Sequence, residues 1–189
     1  CIGMGITAEN LQEKYDIPRE ASDEFAYNSQ MRAKAAMEAG YFEEEIVPVT
    51  IPATRKTPGY EFKVDEHPRP TSTLEGMAKL PPVFKMGGTV TAGNASAFVL
   101  MMSAEKAKEL GYDPMAKWLA GADYGCDPKI MGIGPAYAMP QAIKRAGLTL
   151  ADMDVMECNE AFAVQNLAVI KEIENQANEK IDMEKWNPM

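Results

Sequence analysis

A chain of 189 residues, 46% hydrophobic and 25% charged, is long enough for one or two small domains with a core. Its net charge of -9 disfavours nucleic acid and acidic membrane surfaces as partners, because such binding depends on clustered Lys and Arg, although one phosphorylated ligand held by a local basic spot stays compatible. Cys1, Cys126 and Cys158 have no C-x-x-C spacing and the single histidine, His67, cannot build a His-rich site, so no metal and no disulfide framework are expected.

No apolar run approaches the roughly eighteen residues of a membrane span, so no membrane insertion is expected. The chain opens on Cys1 and closes at Trp186-Asn187-Pro188-Met189, where no helix or strand signal has finished, and therefore reads as an internal piece of a longer protein. In chain order, the spacing predicts a short helix over 7–15, with the Thr7 hydroxyl capping its first turn. A second helix is predicted to start at Pro18 and run to Ala39. Ala21, Phe25, Ala26, Ala33, Ala36 and Met37 form its apolar stripe, taken as core, and Gly40 suits the left-handed position beyond its end.

Ile46 to Ile51 alternates around Pro48 and reads as an edge strand or extended arm. From Pro52 to Pro70 the chain reads as a surface excursion, followed by a small helix at 73–80. A strand at 98–102, a cap at Ser103, a helix over 104–110 and a stop at Gly111 come next. The stretch 127–135 is broken by glycine and proline, 136–146 is helical despite Pro140, and Gly147 ends it. Val155 to Cys158 is a strand candidate leading through Asn159 into a helix over 160–174. Alternation of helices with strands in the second half favours the α/β class.

Two segments invite a ligand. Asn159-Glu160-Ala161-Phe162 sits at a strand-to-helix junction, where α/β proteins present functional groups, and Asn is also among the best helix N-caps; the residues alone leave both readings open. Thr91-Ala92-Gly93-Asn94-Ala95-Ser96 is a run of small residues that fits either close ligand approach or a tight turn.

Met4-Gly5-Ile6-Thr7-Ala8-Glu9-Asn10, Glu45-Ile46-Val47-Pro48-Val49, Leu80 to Phe84, Thr89 to Ser96, Met131-Gly132-Ile133-Gly134-Pro135 and Asn159-Glu160-Ala161-Phe162-Ala163 resemble, in the same order, motifs of the thiolase family. Ile133-Gly134-Pro135-Ala136-Tyr137-Ala138 and the ending Asn187-Pro188 look most like the 3-ketoacyl-CoA thiolases of fatty-acid degradation. The resemblance implies a layered α/β/α fold, present incompletely: a CoA-covering loop domain over 1–98, the end of the N-terminal domain over 99–113 and the start of the C-terminal domain over 114–189. It implies an acyltransferase that cleaves 3-ketoacyl-CoA with CoA, or condenses acetyl-CoA in reverse, through a cysteine acyl-enzyme, with coenzyme A as substrate and no cofactor. Acyl-CoA and CoA are the implied partners, a homodimer or homotetramer the implied assembly, and the cytoplasm of a bacterium the implied location, with peroxisome and mitochondrion left open.

The family's nucleophilic cysteine, its Gly-His-Pro histidine and its C-terminal cysteine have no counterpart here, so the chain by itself is expected to be inactive; a non-catalytic CoA-binding or oligomerisation module is the alternative. By position, Asn159 resembles the asparagine that holds a water in the oxyanion hole. Met4, Phe84, Ala92, Ser96, Ala161 and Phe162 resemble residues lining the pantetheine tunnel, and Arg69 the arginine that meets the nucleotide end of CoA. The chain departs from the family at Gly3, where many relatives carry histidine, and after Ser96, where a Gly-, Asn- and Asp-Gly-containing segment is missing.

Overall fold

The computed structural model describes residues 2–91 and 101–188. The chain divides into two compact units, Cys1–Pro18 with Pro81–Pro188, and Arg19–Leu80. The first unit holds helices α1 (Met4–Tyr15), α4 (Ala104–Leu110), α5 (Pro135–Arg145) and α6 (Ala163–Ala177), together with 3-10 turns at Pro128–Ile133 and Leu150–Asp152. The second holds α2 (Arg19–Glu38), the antiparallel pair β1 (Val49–Ile51) and β2 (Tyr60–Phe62), and α3 (Leu74–Ala78).

In the first unit, α1 packs against both the Pro128–Ile133 turn and α6. Ala8, Leu11 and Tyr15 of α1 recur at helical spacing and are buried, as are Val164, Ala168, Val169 and Ile173 of α6. Ile133, Ala136 and Trp186 complete this core, with Leu11 and Trp186 both fully shielded from solvent. A polar knot ties three helices at its margin: the Tyr15 and Tyr137 hydroxyls each donate to the Glu172 carboxylate at 2.9 Å. Burial alone would raise the Glu172 pKa, but hydrogen bonds from Gln176, Tyr137 and Tyr15 outweigh it and hold the group below its ordinary value.

The helix α1 starts three residues earlier than its sequence suggests. Gly3 is its N-cap, and the Thr7 hydroxyl donates back to the Met4 carbonyl at 2.6 Å instead of capping. A buried carboxylate then fastens the chain to α1: Glu9 accepts from the amides of Thr89, at 3.0 and 2.9 Å, and Val90, at 2.9 Å. Ser103 caps α4, its hydroxyl accepting from the Lys106 amide, and Gly111 closes the helix at a φ of +73°, as its sequence predicts. Helix α5 keeps Pro140 in its interior and is followed by Gly147 at a φ of +76°. Of the strand expected at 98–102, residues 98–100 lie outside the described residues, and Met101 and Met102 are not in a strand.

The strand expected at 155–158 is reduced to a single parallel bridge between Met156 and Trp186. An extended backbone needs a hydrogen-bonding neighbour to register as a strand, and here that neighbour is only the short 185–187 segment. Helix α6 correspondingly begins at Ala163, after an extended Phe162, rather than at Glu160.

In the second unit, α2 follows Pro18 and ends before Gly40, which takes a φ of +75°, matching the expected stop. Its apolar stripe is shallower than predicted, since only Ala36 of that set is buried. Arg19 holds α3 by donating to the Met77 and Leu80 carbonyls at 2.8 and 3.1 Å while pairing with Asp23. Thr73 caps α3. The edge strand expected around 46–51 forms over Val49–Ile51, and its partner Tyr60–Phe62 lies inside the stretch that reads as a loop.

Candidate functional site

In the first unit, a cavity of about 260 Å³ opens between the start of α1, the Met131-Gly132 turn, and the Cys158-to-Gln165 segment. Met4, Thr7, Ala8 and Leu11 form one wall, Met131, Gly132 and Pro135 another, and Cys158, Asn159, Ala161, Phe162 and Gln165 the third. Apolar walls with a few polar groups suit a thin, flexible ligand chain. Phe84 stands at its edge, with its ring perpendicular to that of Phe162 at 6.1 Å between centroids, and close against Gly5.

Glycine makes this packing feasible. A Cβ on Gly5 would fall 2.2 Å from the Phe84 ring, and one on Gly132 would fall 2.8 Å from Cγ of Gln165 and 3.0 Å from Cδ1 of Leu11. The Gln165 side chain donates to the Gly132 carbonyl at 3.1 Å and so fixes the Met-Gly-Ile-Gly-Pro turn against α6.

Asn159 is exposed on the cavity wall, and its side chain makes no hydrogen bond among the described residues. It does not cap α6, whose N-cap is Phe162, so the capping reading is corrected. Its backbone is held instead. The Asn159 carbonyl accepts from Nδ2 of Asn166 at 3.1 Å, and Oδ1 of Asn166 accepts from the Trp186 indole at 3.2 Å. An amide at a cavity wall, carried on an anchored backbone, can donate or accept a hydrogen bond without reorganising that backbone.

Cys158, next to it, is a poor nucleophile. Burial pushes its thiol up to about 11, the Glu157 and Glu160 carboxylates add to that, and the neighbouring Gln165 opposes it only in part. Cys126 is half-buried and His67 exposed. Among the described residues, no cluster of His, Cys, Asp or Glu could hold a metal ion, and no helix is long and apolar enough to cross a membrane.

Of the residues expected at the site, Met4, Asn159, Ala161 and Phe162 line this cavity and Phe84 abuts it. Arg69 belongs to the second unit, where it is exposed and its amide donates to Oε1 of Gln30 at 2.6 Å. Ala92, Ser96 and the missing segment after Ser96 lie outside the described residues. Sequence reasoning missed Gln165 and Asn166, whose buried amides sit at helical positions that read as ordinary solvated ones.

The chain matches the thiolase N-terminal domain over residues 2–104 and the thiolase C-terminal domain over 112–188. It belongs to the thiolase family. The acetyl-CoA acetyltransferase of Syntrophomonas wolfei is 52% identical over 176 residues, which cover 90% of this chain and 44% of that protein. The crystal structure of the Bacillus anthracis acetyl-CoA acetyltransferase superposes with a TM-score of 0.86 at 47% identity, covering 98% of this chain and 47% of that one. Human mitochondrial 3-ketoacyl-CoA thiolase in complex with CoA gives 0.80 at 46% identity, covering 97% and 45%. This thiolase chain therefore spans less than half the length of the relatives it matches, and its fold is an incomplete thiolase-like α/β fold. Thiolases carrying either name match it at comparable identity, so identity does not favour the degradative 3-ketoacyl branch over the acetyl-CoA acetyltransferases.

Proposed function

We propose that the longer protein containing this stretch cleaves 3-ketoacyl-CoA with CoA, or runs the reverse condensation of acetyl-CoA, and that this stretch supplies part of its CoA channel. The observation that carries the reading is the cavity shared by Met4, Asn159, Ala161 and Phe162 in a chain of thiolase sequence. In this reading Asn159 orients a water toward the thioester oxygen, where preorganised donors stabilise developing negative charge. Met4, Phe84, Ala161 and Phe162, with Ala92 and Ser96, wall the pantetheine arm, and Arg69 meets the nucleotide phosphates through its planar fork of donors. The human mitochondrial 3-ketoacyl-CoA thiolase solved in complex with CoA supports coenzyme A as the ligand. Residues 1–98 would be the loop domain, 99–113 the end of the N-terminal domain and 114–189 the start of the C-terminal one. A role in fatty-acid degradation, a homodimeric or homotetrameric assembly, and a bacterial cytoplasmic, peroxisomal or mitochondrial location complete the proposal for the longer protein.

The 189-residue polypeptide alone is inactive in this reading. Its one histidine lies in Glu66-His67-Pro68 rather than Gly-His-Pro, and its Cys158 thiol is buried with a raised pKa, so the acyl-enzyme chemistry lacks the family's base and cannot use Cys158 as its nucleophile. Thiolysis of acetoacetyl-CoA by this polypeptide, followed at the enolate absorbance, gives no rate above the uncatalysed one; measurable turnover overturns the claim. Acetyl-CoA binding without turnover is what a non-catalytic CoA-binding module also expects, and its absence leaves only the oligomerisation form of that alternative.

A further inference from the structure

Asn187 lies 28 positions beyond Asn159 in the sequence, yet its side chain reaches both residues that flank it. Its Oδ1 accepts from the Cys158 amide at 2.7 Å, and its Nδ2 donates to the Cys158 carbonyl and to Oε1 of Glu160, both at 2.8 Å. These bonds continue the parallel bridge in which the Met156 amide donates to the Lys185 carbonyl and the Asn187 amide to the Met156 carbonyl, each at 2.8 Å. The carboxamide thus serves Cys158 as a strand neighbour would, offering one acceptor and one donor. Asn187 is buried and takes a φ of +44°, a conformation that asparagine and aspartate tolerate better than other side-chain-bearing residues.

We infer that Asn187 is a positioning residue: it clamps the backbone before Asn159 while Asn166, held by Trp186, clamps the carbonyl after it, so that the Asn159 amide faces the cavity from a fixed peptide. This rests on the reading of Asn159 as a working group of the CoA channel. The clamp also accounts for the late start of helix α6, because the Cys158 backbone is held by Asn187 and the Asn159 carbonyl by Asn166.

The test uses the full 189-residue chain, with acetyl-CoA as the probe and amide NMR as the readout. Asn187→Asp keeps the shape, the backbone conformation and the acceptor for the Cys158 amide, but loses the donor and sets a carboxylate against Glu160. Glu160→Gln in that background returns a donor to the pair. In Asn187→Asp, repulsion from Glu160 and loss of the bond to the Cys158 carbonyl pull the retained acceptor off the Cys158 amide, so hydrogen exchange there accelerates about tenfold or more while Val169 in α6 is unchanged, and the double variant recovers part of the protection. Acetyl-CoA shifts the Asn159 side-chain amide resonance in the parent, shifts it less in Asn187→Asp, and regains the effect in the double variant. Should Asn187→Asp unfold, Asn187→Gly removes all three side-chain bonds without a buried charge and tolerates the positive φ. Unchanged Cys158 exchange, or exchange rising equally at Val169 in both variants, overturns the clamp. An equal acetyl-CoA response in parent and Asn187→Asp overturns the positioning role, whereas no Asn159 response in the parent overturns the channel reading instead.

Discussion

The Cys158 thiol takes its character from burial: it is 6% exposed, and its pKa moves from 9.0 to about 11 chiefly because the thiolate would be desolvated. Between those two values the folded chain keeps a proton that the unfolded chain has released. The stability this group confers is therefore complete below 9.0 and is lost as pH rises toward 11. At pH 8 the native protein is expected to leave Cys158 unalkylated by iodoacetamide while half-exposed Cys126 reacts, and peptide mass analysis distinguishes them; equal labelling refutes the assignment. Gly132 makes a second case at this scale. An alanine there drives its Cβ against Leu11, which has no solvent to move into, so Gly132→Ala is expected to cost about 1–3 kcal/mol in urea unfolding. The glycine of that family motif is thereby explained by packing against Leu11 and Gln165.

Among the elements, those that form where the sequence places them are the ones whose signals are local. Helix α4 has its cap at Ser103 and its stop at Gly111, α3 its cap at Thr73, and α2 its stop at Gly40, each decided within a few residues. The misplaced boundaries depend on distant partners. Asn159 has the residue type of a cap, but Asn187 and Asn166 hold its backbone out of the helix, and nothing near position 159 announces either. Strand β2 was hidden for a similar reason, since Tyr60–Phe62 is too short to show alternation and is defined only by pairing with Val49–Ile51. Four of the expected site residues meet at one cavity because α1 crosses the Asn159 loop, a tertiary fact that the family resemblance implied and periodicity did not. The tie between α1 and the 88–90 turn offers a direct test. Glu9 is 1% exposed and its carboxylate accepts from two backbone amides, so Glu9→Gln weakens the acceptor and sets a donor against the Thr89 amide. A loss of about 2 kcal/mol in urea unfolding is expected, with the slope of the transition unchanged. A loss under a few tenths would mean that the turn is held by other contacts.

Across the whole molecule, many large apolar side chains stand open to solvent. In the second unit, β1 and β2 form a ribbon of only two strands, and Val49 and Tyr60 on it are more than half exposed. Such a ribbon is marginal in water without a third strand or a covering layer. In the first unit, Met86 and Met115 are fully exposed and Trp118 is largely so, and the stretch from Lys117 to Asp127 runs without regular structure. Large apolar side chains left uncovered favour association, and unpaired backbone edges add hydrogen-bonding sites for it. The isolated polypeptide is therefore expected to bind a dye such as ANS and to elute from size exclusion as a mixture larger than its 20.7 kDa monomer. Its thermal transition is expected to be broad, because the chain divides into two compact units and the second buries little apolar surface of its own. A monodisperse monomer with a sharp cooperative transition and no dye binding would show instead that the exposed residues are tolerated as single side chains on a self-sufficient surface, and the thiolase chain would then have to be treated as an independent folding unit.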